Sequence, residues 1–311
     1  MSMISKTVFM FPGQGSQFVG MGRDLYESFP EARKVFDTAE EVLGIPIKKI
    51  CFEGPEEELR LTVNTQPALF TASMAAFESL ASKGFTPDMV AGHSIGEYAA
   101  LAAAGALALP GALKLVQVRS RLMMQAAEAH PGTMAAVIGL GAEDVKAAVE
   151  RAASEGIVDV ANYNSPGQVV ISGEVAAVES ASRYAKEAGA KRVLPLNVSG
   201  GFHSRLMQPA AEALREELAH TQVFDAKIPV VANVTAGFVK SGDEIKDALA
   251  RQIAGSVRWD ESLKFMAGEG AGSFVEVGPG KVLAGLVKRT LSDVDVKSVG
   301  DEESLAEFVK A

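Results

Sequence analysis

The pentapeptide Gly92-His93-Ser94-Ile95-Gly96 matches G-x-S-x-G, the pattern of a nucleophilic serine held on a sharp turn. An apolar strand pattern precedes it and a helical pattern follows. In such a turn the glycines let neighbouring backbone approach closely, and the serine is pushed out at the strand-to-helix corner. The backbone N–H of Ile95 faces the same side at a helix N-terminus, where free donors suit a developing oxyanion. A plain strand–helix turn is the bland alternative for the same five residues.

A serine nucleophile needs a base, and the chain has four histidines. His93 adjoins Ser94, but neighbouring side chains at a strand end point to opposite faces, so it reads as a packed structural residue. His130 precedes Pro131 and reads as a linker residue. His220 closes a helical stretch and reads as exposed. His203 lies in Ser199-Gly200-Gly201-Phe202-His203-Ser204. That glycine-rich loop falls where an inserted unit returns to the main domain, and clefts form at such junctions. His203 is therefore the candidate base.

Arg119 is the third informative residue. Leu115, Val116, Leu122 and Met123 flank it at helical spacing, which puts its guanidinium on a buried stripe and leaves Arg121 pointing elsewhere. A buried arginine is costly unless paired. Either it closes an internal salt bridge, or it is a fork that receives a substrate carboxylate through two parallel hydrogen bonds.

The elements that must position these residues follow from hydrophobic patterning. Residues 7–11, 88–93, 229–235 and 273–277 read as strands. Continuous apolar strands alternating with helices predict a mostly parallel sheet covered on both faces, an α/β-hydrolase-like core. Residues 98–109 form the longest apolar run and read as one buried helix ending at Pro110; about 12 residues fall short of the ~20 that span a bilayer. The stretch 130–196 has its own β-α-β-β-α-β order, with Asn164-Ser165-Pro166-Gly167 as a turn between its middle strands. The expected organisation is a large catalytic domain of residues 1–129 and 197–311, interrupted by a small ferredoxin-like domain of residues 130–196.

Composition narrows the class. Of 311 residues, 48% are hydrophobic, enough for a large core. Lysine and arginine total 30 against 39 aspartates and glutamates, a net charge of -9 that argues against a nucleic-acid binder. Cys51 is the single cysteine, which excludes an internal disulfide and a Cys-based zinc cluster. The N-terminus lacks the pattern of a secretion signal. The expectation is a cytoplasmic protein with no membrane association.

Beyond these residues, the sequence resembles the malonyl-CoA:acyl carrier protein transacylases and the acyltransferase domains of polyketide synthases. The motifs run in order along nearly the whole chain: Phe11-Pro12-Gly13-Gln14-Gly15-Ser16-Gln17, Thr65-Gln66-Pro67-Ala68, Gly92-His93-Ser94-Ile95-Gly96-Glu97, Arg119 with Met123, Asn162-Tyr163-Asn164-Ser165-Pro166-Gly167-Gln168, Phe202-His203-Ser204 and Glu276-Val277-Gly278-Pro279-Gly280. Two departures stand out. The stretch 252–259 lacks the commoner proline before Val257-Arg258-Trp259, and Gly201 replaces a more usual proline or alanine.

The resemblance implies a role for each matched residue. Ser94 takes the acyl group and His203 moves the proton. The N–H groups of Gln14 and Ile95 form the oxyanion hole. Arg119 grips the malonyl carboxylate, with Met123, Asn162, Phe202 and Gln252 as further substrate-site residues. A main-chain carbonyl near Gln252 orients His203, and no acidic third member stands out. Phe202 matches the malonyl-selective form of its loop, since a bulky ring crowds an α-methyl group.

The implied reaction is ping-pong transfer of malonyl from malonyl-CoA, through Ser94, to the phosphopantetheine thiol of acyl carrier protein. It calls for no metal and no bound cofactor. Family members are commonly monomers. An acidic carrier docking on an acidic protein needs a local basic patch, for which Lys191, Arg192, Arg205, Lys281, Lys288 and Arg289 are candidates. Read as a free-standing chain, the sequence points to fatty acid synthesis. A polyketide acyltransferase, a serine thioesterase or esterase, and a non-catalytic carrier-binding scaffold are the competing readings.

Overall fold

The computed structural model describes residues 5–198 and 200–310. Residues 1–4, on which the reading of the N-terminus partly rests, lie outside them, as do Ser199 of the glycine-rich loop and Ala311.

Ten strands are described: β1 Lys6–Phe11, β2 Met89–Gly92, β3 Thr133–Ile138, β4 Val158–Ser165, β5 Gln168–Gly173, β6 Arg192–Pro195, β7 Val230–Ala232, β8 Gly237–Val239, β9 Ala271–Val277 and β10 Asp295–Val299. Six form one sheet in the order β10-β9-β1-β2-β7-β8. All its neighbours pair in parallel except the terminal β7–β8 hairpin. The strand period of two divides β1 between two cores. Phe9 and Phe11 pack with Leu69, Phe70 and Val116 on one face, while Val8 and Met10 pack with Trp259, Leu263 and Leu286 on the other. A strand buried on both faces needs continuous apolar residues, which is why β1 and β2 were legible.

The other four strands form an all-antiparallel sheet in the order β4-β5-β3-β6. With the helices Ala142–Ala152 and Val175–Glu187 it has its own core, including Val137, Val145, Val160, Ile171 and Val178. Met134, Ala136 and Val170, on the opposite face, join the core of the large sheet. This unit therefore sits against the main sheet assembly rather than on a tether, and it can contribute side chains to a shared cleft.

Three details differ from the sequence expectation. The run 98–109 is not one helix. The helix Gly96–Ala103 ends before Gly105, whose φ of 72° breaks the spiral, and Pro110 opens the helix Leu109–Ala129 instead of closing its predecessor. A proline in the first helical turn has no lost N–H bond to answer for. Asn164 and Ser165 belong to β4, so Pro166 and Gly167 alone make the turn, with Gly167 at φ 71°. Finally, β8 and β10 carry no long apolar run, because each is an edge strand half open to solvent.

The corner after β2 shows why the pattern G-x-S-x-G is required here. A Cβ on Gly92 would overlap the backbone of Gly96, and one on Gly96 would overlap the carbonyl of Phe11 at the end of β1. The two glycines allow helix Gly96–Ala103 to pack against its own strand and the next one. Ser94 at their midpoint has φ 51°, a left-handed conformation that costs a non-glycine residue about 1–3 kcal/mol. Gly96→Ala is expected to lower stability by ~1–3 kcal/mol, the usual cost of overpacking. Acyl loading should fall with it. Thermal denaturation measures the first effect, and an unchanged Tm would show that the corner has room to relax.

Candidate active site

Ser94 and His203 are 109 positions apart in sequence, and the fold brings their side chains into hydrogen-bond contact. The Ser94 Oγ lies 2.8 Å from His203 Nε2. On the far side of the ring, His203 Nδ1 donates to the main-chain carbonyl of Gln252 at 2.9 Å, with that of Gly255 at 3.2 Å. Donation from Nδ1 leaves Nε2 as the acceptor, so the serine hydroxyl donates to the ring. His203 is also left-handed, at φ 57°. Both members of the pair are thus held in conformations that the surrounding structure must impose.

Arg119 completes the group. It is fully buried, and its Nη2 donates to Ser94 Oγ at 3.0 Å and to Gln252 Oε1 at 2.9 Å. Nη1 donates to Gln66 Oε1 at 2.6 Å, and the guanidinium carbon lies 5.4 Å from the centre of the Tyr98 ring. Among the described residues no carboxylate lies within ion-pair distance of Arg119. Of the two readings of a buried arginine, the internal salt bridge is therefore absent. A charged fork instead faces Ser94 Oγ, held by neutral amides.

These side chains line a cavity of about 110 Å³. Gln14, Ser94, Ile95, Arg119, Met123, Phe202 and His203 come from the large-sheet assembly, and Met134, Asn162 and Leu196 reach it from β3, β4 and the end of β6. Its small size suits a short acyl group. The N–H groups of Gln14 and Ile95 have no protein acceptor among the described residues. A Cβ on Gly13 would lie 2.7 Å from the carbonyl of His93, so the Gln14 turn sits directly against the serine corner. Two unspent donors beside a serine hydroxyl could receive a developing oxyanion.

Gln252 is the one substrate-site residue of the sequence reading that does not line the cavity. It is fully buried behind Arg119, and its Nε2 donates to the carbonyl of Ser94 at 2.9 Å. Its distance from the cavity comes from the helix Gly242–Gln252, which ends just there and delivers both its amide and its main-chain carbonyl to the back of the site. His93 does what a structural histidine does: its Nε2 lies 2.9 Å from Asn164 Oδ1 and its ring meets the edge of Trp259, although one side of it reaches the cavity.

Four contributing residues were not singled out from sequence. Gln66 lies in a recognised motif but carries no chemical signal of its own. Asn233 accepts from the Ser94 N–H through Oδ1 at 2.8 Å and donates through Nδ2 to the Gly92 carbonyl at 2.7 Å, bracing the corner. Asn164 anchors His93. Glu97 is a fully buried acid whose Oε2 accepts from Gln252 Nε2 at 2.8 Å. A lone acid within the apolar helix Gly96–Ala103 was the available signal for it.

Burial governs the protonation of the site. It pushes His203 down to about 3, with the Arg119 charge adding to the effect, and it lowers His93 as well. Burial pushes Glu97 up to about 7, against hydrogen bonds from Gln252 and Asn233 and the attraction of Arg119. At neutral pH His203 is therefore an unprotonated base while Arg119 keeps its charge. Of the candidate docking cations, Arg205 pairs with Asp159 at 3.0 Å and Arg289 donates to Gln168 at 2.6 Å. Lys281 and Lys288 face a surface groove together with Lys297.

Residues 8–308 match the acyl transferase domain family. The chain belongs to this family. It is 48% identical to the malonyl CoA-acyl carrier protein transacylase of Bacillus subtilis, covering 97% of this chain and 96% of that protein. It is 43% identical to the Escherichia coli K12 protein of the same name, covering 97% and 98%. An acyl carrier protein S-malonyltransferase from Vibrio cholerae superposes with a TM-score of 0.95 at 44% identity, over 98% of this chain and 100% of the other. A malonyl-transacylase solved in complex with its type II polyketide synthase acyl-carrier protein gives a TM-score of 0.96 at 43% identity, over 98% and 99%. The acyl transferase fold accounts for both sheets: the parallel one builds the serine corner, and the antiparallel one closes the cavity from the other side.

Proposed function

We propose that this acyl transferase moves the malonyl group from malonyl-CoA to the phosphopantetheine thiol of acyl carrier protein by way of a Ser94 ester. The observation that carries this reading is Arg119, a buried guanidinium whose Nη2 stands 3.0 Å from the nucleophilic oxygen. A cation with no carboxylate partner among the described residues, aimed into a small cavity, suits an acyl group that ends in a carboxylate. The names of the relatives support the same substrate and acceptor.

His203 Nε2 takes the Ser94 proton as Oγ attacks the thioester carbon. The carbonyl oxygen becomes an oxyanion received by the N–H groups of Gln14 and Ile95. As the intermediate collapses, the C–S bond breaks and the proton on His203 goes to the departing CoA sulfur. The carrier thiol then enters, His203 takes its proton, and the thiolate attacks the Ser94 ester. The ester bond breaks, and the proton returns to Ser94 Oγ. Nucleophile, base and acid are all supplied by the chain's own side chains. The buried setting keeps water from the ester until the thiol arrives. Phe202, in the wall of the cavity, crowds an α-substituent on the acyl group.

Incubation with labelled malonyl-CoA, with and without carrier protein, followed by intact mass of both proteins, tests the reading. A malonyl adduct on the enzyme that moves to the carrier is the expected result. Rapid hydrolysis of malonyl-CoA without carrier would instead make the protein a thioesterase. Arg119→Ala is expected to reduce malonyl kcat/KM by ~10²-fold or more, from the loss of a charge-assisted contact to a buried anion, while acetyl transfer improves relative to it. An unchanged malonyl-to-acetyl ratio would leave Arg119 with a purely structural part.

We assign the product to fatty acid synthesis. The polyketide reading keeps one specific support, the carrier bound to the malonyl-transacylase noted above. Comparing kcat/KM for carrier proteins of the two pathway types separates the two.

A further inference from the structure

Glu97 has no part in the serine–histidine chemistry, yet it is buried directly behind it. It lies in the first turn of the helix Gly96–Ala103, whose other residues are glycine, tyrosine, leucine and alanines. Its Oε2 accepts from the Asn233 backbone N–H at 3.0 Å and from Gln252 Nε2 at 2.8 Å. An amide has one donor end and one acceptor end. Because Glu97 holds the donor end of Gln252, the acceptor end faces the guanidinium of Arg119, at 2.9 Å. The main-chain carbonyl of the same glutamine holds His203 Nδ1. One buried carboxylate thus sets the amide that positions the cation, on the same glutamine whose main chain positions the base.

We infer that Glu97 is a positioning residue that balances the charge of Arg119 through the Gln252 amide while the cavity is empty, and that it takes up a proton when an acyl group bearing a carboxylate binds to Arg119. The inference rests on the reading of Arg119 as the receptor for that carboxylate. Two carboxylates and one guanidinium in a desolvated site leave a negative charge in excess. The carboxylate held at one remove from the guanidinium is the one that gives up its charge. The proton comes from solvent and goes to Oε1, since Oε2 already receives two donors.

The other titratable groups around Glu97 do not compete for that proton near neutrality. His203, on its loop, and His93, at the end of β2, are both held neutral by burial. Tyr98, next on the same helix, is pushed up by burial and stays uncharged. Arg119, on the helix Leu109–Ala129, remains protonated throughout. Glu97 starts near 7, and a nearby anion moves it higher. Malonyl binding is then strongest where Glu97 is already neutral, and it weakens as pH rises from the free-site value toward the raised one.

The test compares Ser94 loading from malonyl-CoA and acetyl-CoA, in the protein and in Glu97→Gln, from about pH 6 to about pH 9. Glutamine keeps an acceptor oxygen for both donors and carries no charge. In the unmodified protein the malonyl-to-acetyl ratio of kcat/KM should fall by about tenfold across that range, the effect of one unit of pKa displacement. In Glu97→Gln it should be flat, at the low-pH level. A flat ratio in the unmodified protein, or the same slope in the variant, overturns the inference and leaves the Arg119 reading standing. No preference for malonyl at any pH removes both.

A second measurement does not depend on the Glu97 variant folding. Ser94→Ala binds malonyl-CoA without turnover, and calorimetry in buffers of different ionisation enthalpy counts the protons taken up. Uptake of about half a proton per malonyl-CoA near about pH 7.5, with none for acetyl-CoA, supports the inference. Zero uptake overturns it. So does uptake confined below about pH 5, which belongs to His203.

Discussion

Ser94→Ala is expected to abolish covalent acylation and to lower transfer by on the order of 10⁶-fold, the scale seen when the nucleophile of a serine–histidine system is removed. Ser94 Oγ is the point on which the site converges: it meets His203 Nε2 at 2.8 Å and Arg119 Nη2 at 3.0 Å. Alanine leaves the corner after β2 intact, because Asn233 braces it through the Ser94 N–H rather than through the hydroxyl. Arg119 keeps its contacts to Gln66 and Gln252. The variant should therefore fold and bind malonyl-CoA while showing no mass shift. A malonyl adduct on Ser94→Ala would place the nucleophile elsewhere.

His203→Ala should slow transfer by ~10²–10⁴, the range for loss of a general acid–base group. The ester should still form slowly, since the oxyanion donors and Arg119 remain. The pH dependence of the unmodified protein gives a second check. Burial and the Arg119 charge push His203 down to about 3, whereas a free imidazole titrates near about 6.5. The base is the neutral form, so activity is retained as pH falls through the free value and is lost only as it approaches the lowered one. With acetyl-CoA, which brings no carboxylate to Arg119, the rate should be flat from about pH 5 to about pH 8. An acid limb centred near about 6.5 would mean that His203 is far better solvated than this geometry makes it.

Relatively little of this chemistry needed coordinates to be suspected. Ser94 announces itself because the glycines on either side are required by local backbone contacts. Arg119 was legible from helical spacing, since four apolar neighbours at the right offsets leave a guanidinium no route to solvent. His203 was legible by the glycines before it and by its place at the return from the antiparallel unit. The glycines and the apolar neighbours lie within about one turn of the residues they mark, and patterning reaches that far. The apolar run 98–109 shows the opposite case. Composition there suits one helix or two, and the left-handed glycine at 105 decides the matter.

By itself, then, the amino-acid order pointed to the parallel sheet, to a separate unit between its halves, and to Ser94, His203 and Arg119 as the candidate nucleophile, base and cation. Hydrophobic period and steric demand are local properties, and they survive in one dimension. Only the tertiary structure decided what surrounds those three groups. Gln66 reaches Arg119 across 53 positions, Gln252 across 133, and Glu97 meets Gln252 across 155. A polar side chain declares its partner only when folding has removed water as the alternative, because in water every donor and acceptor is already satisfied. The moving of Gln252 from the cavity wall to its rear, and the placing of a buried acid behind a buried arginine, are consequences of that removal.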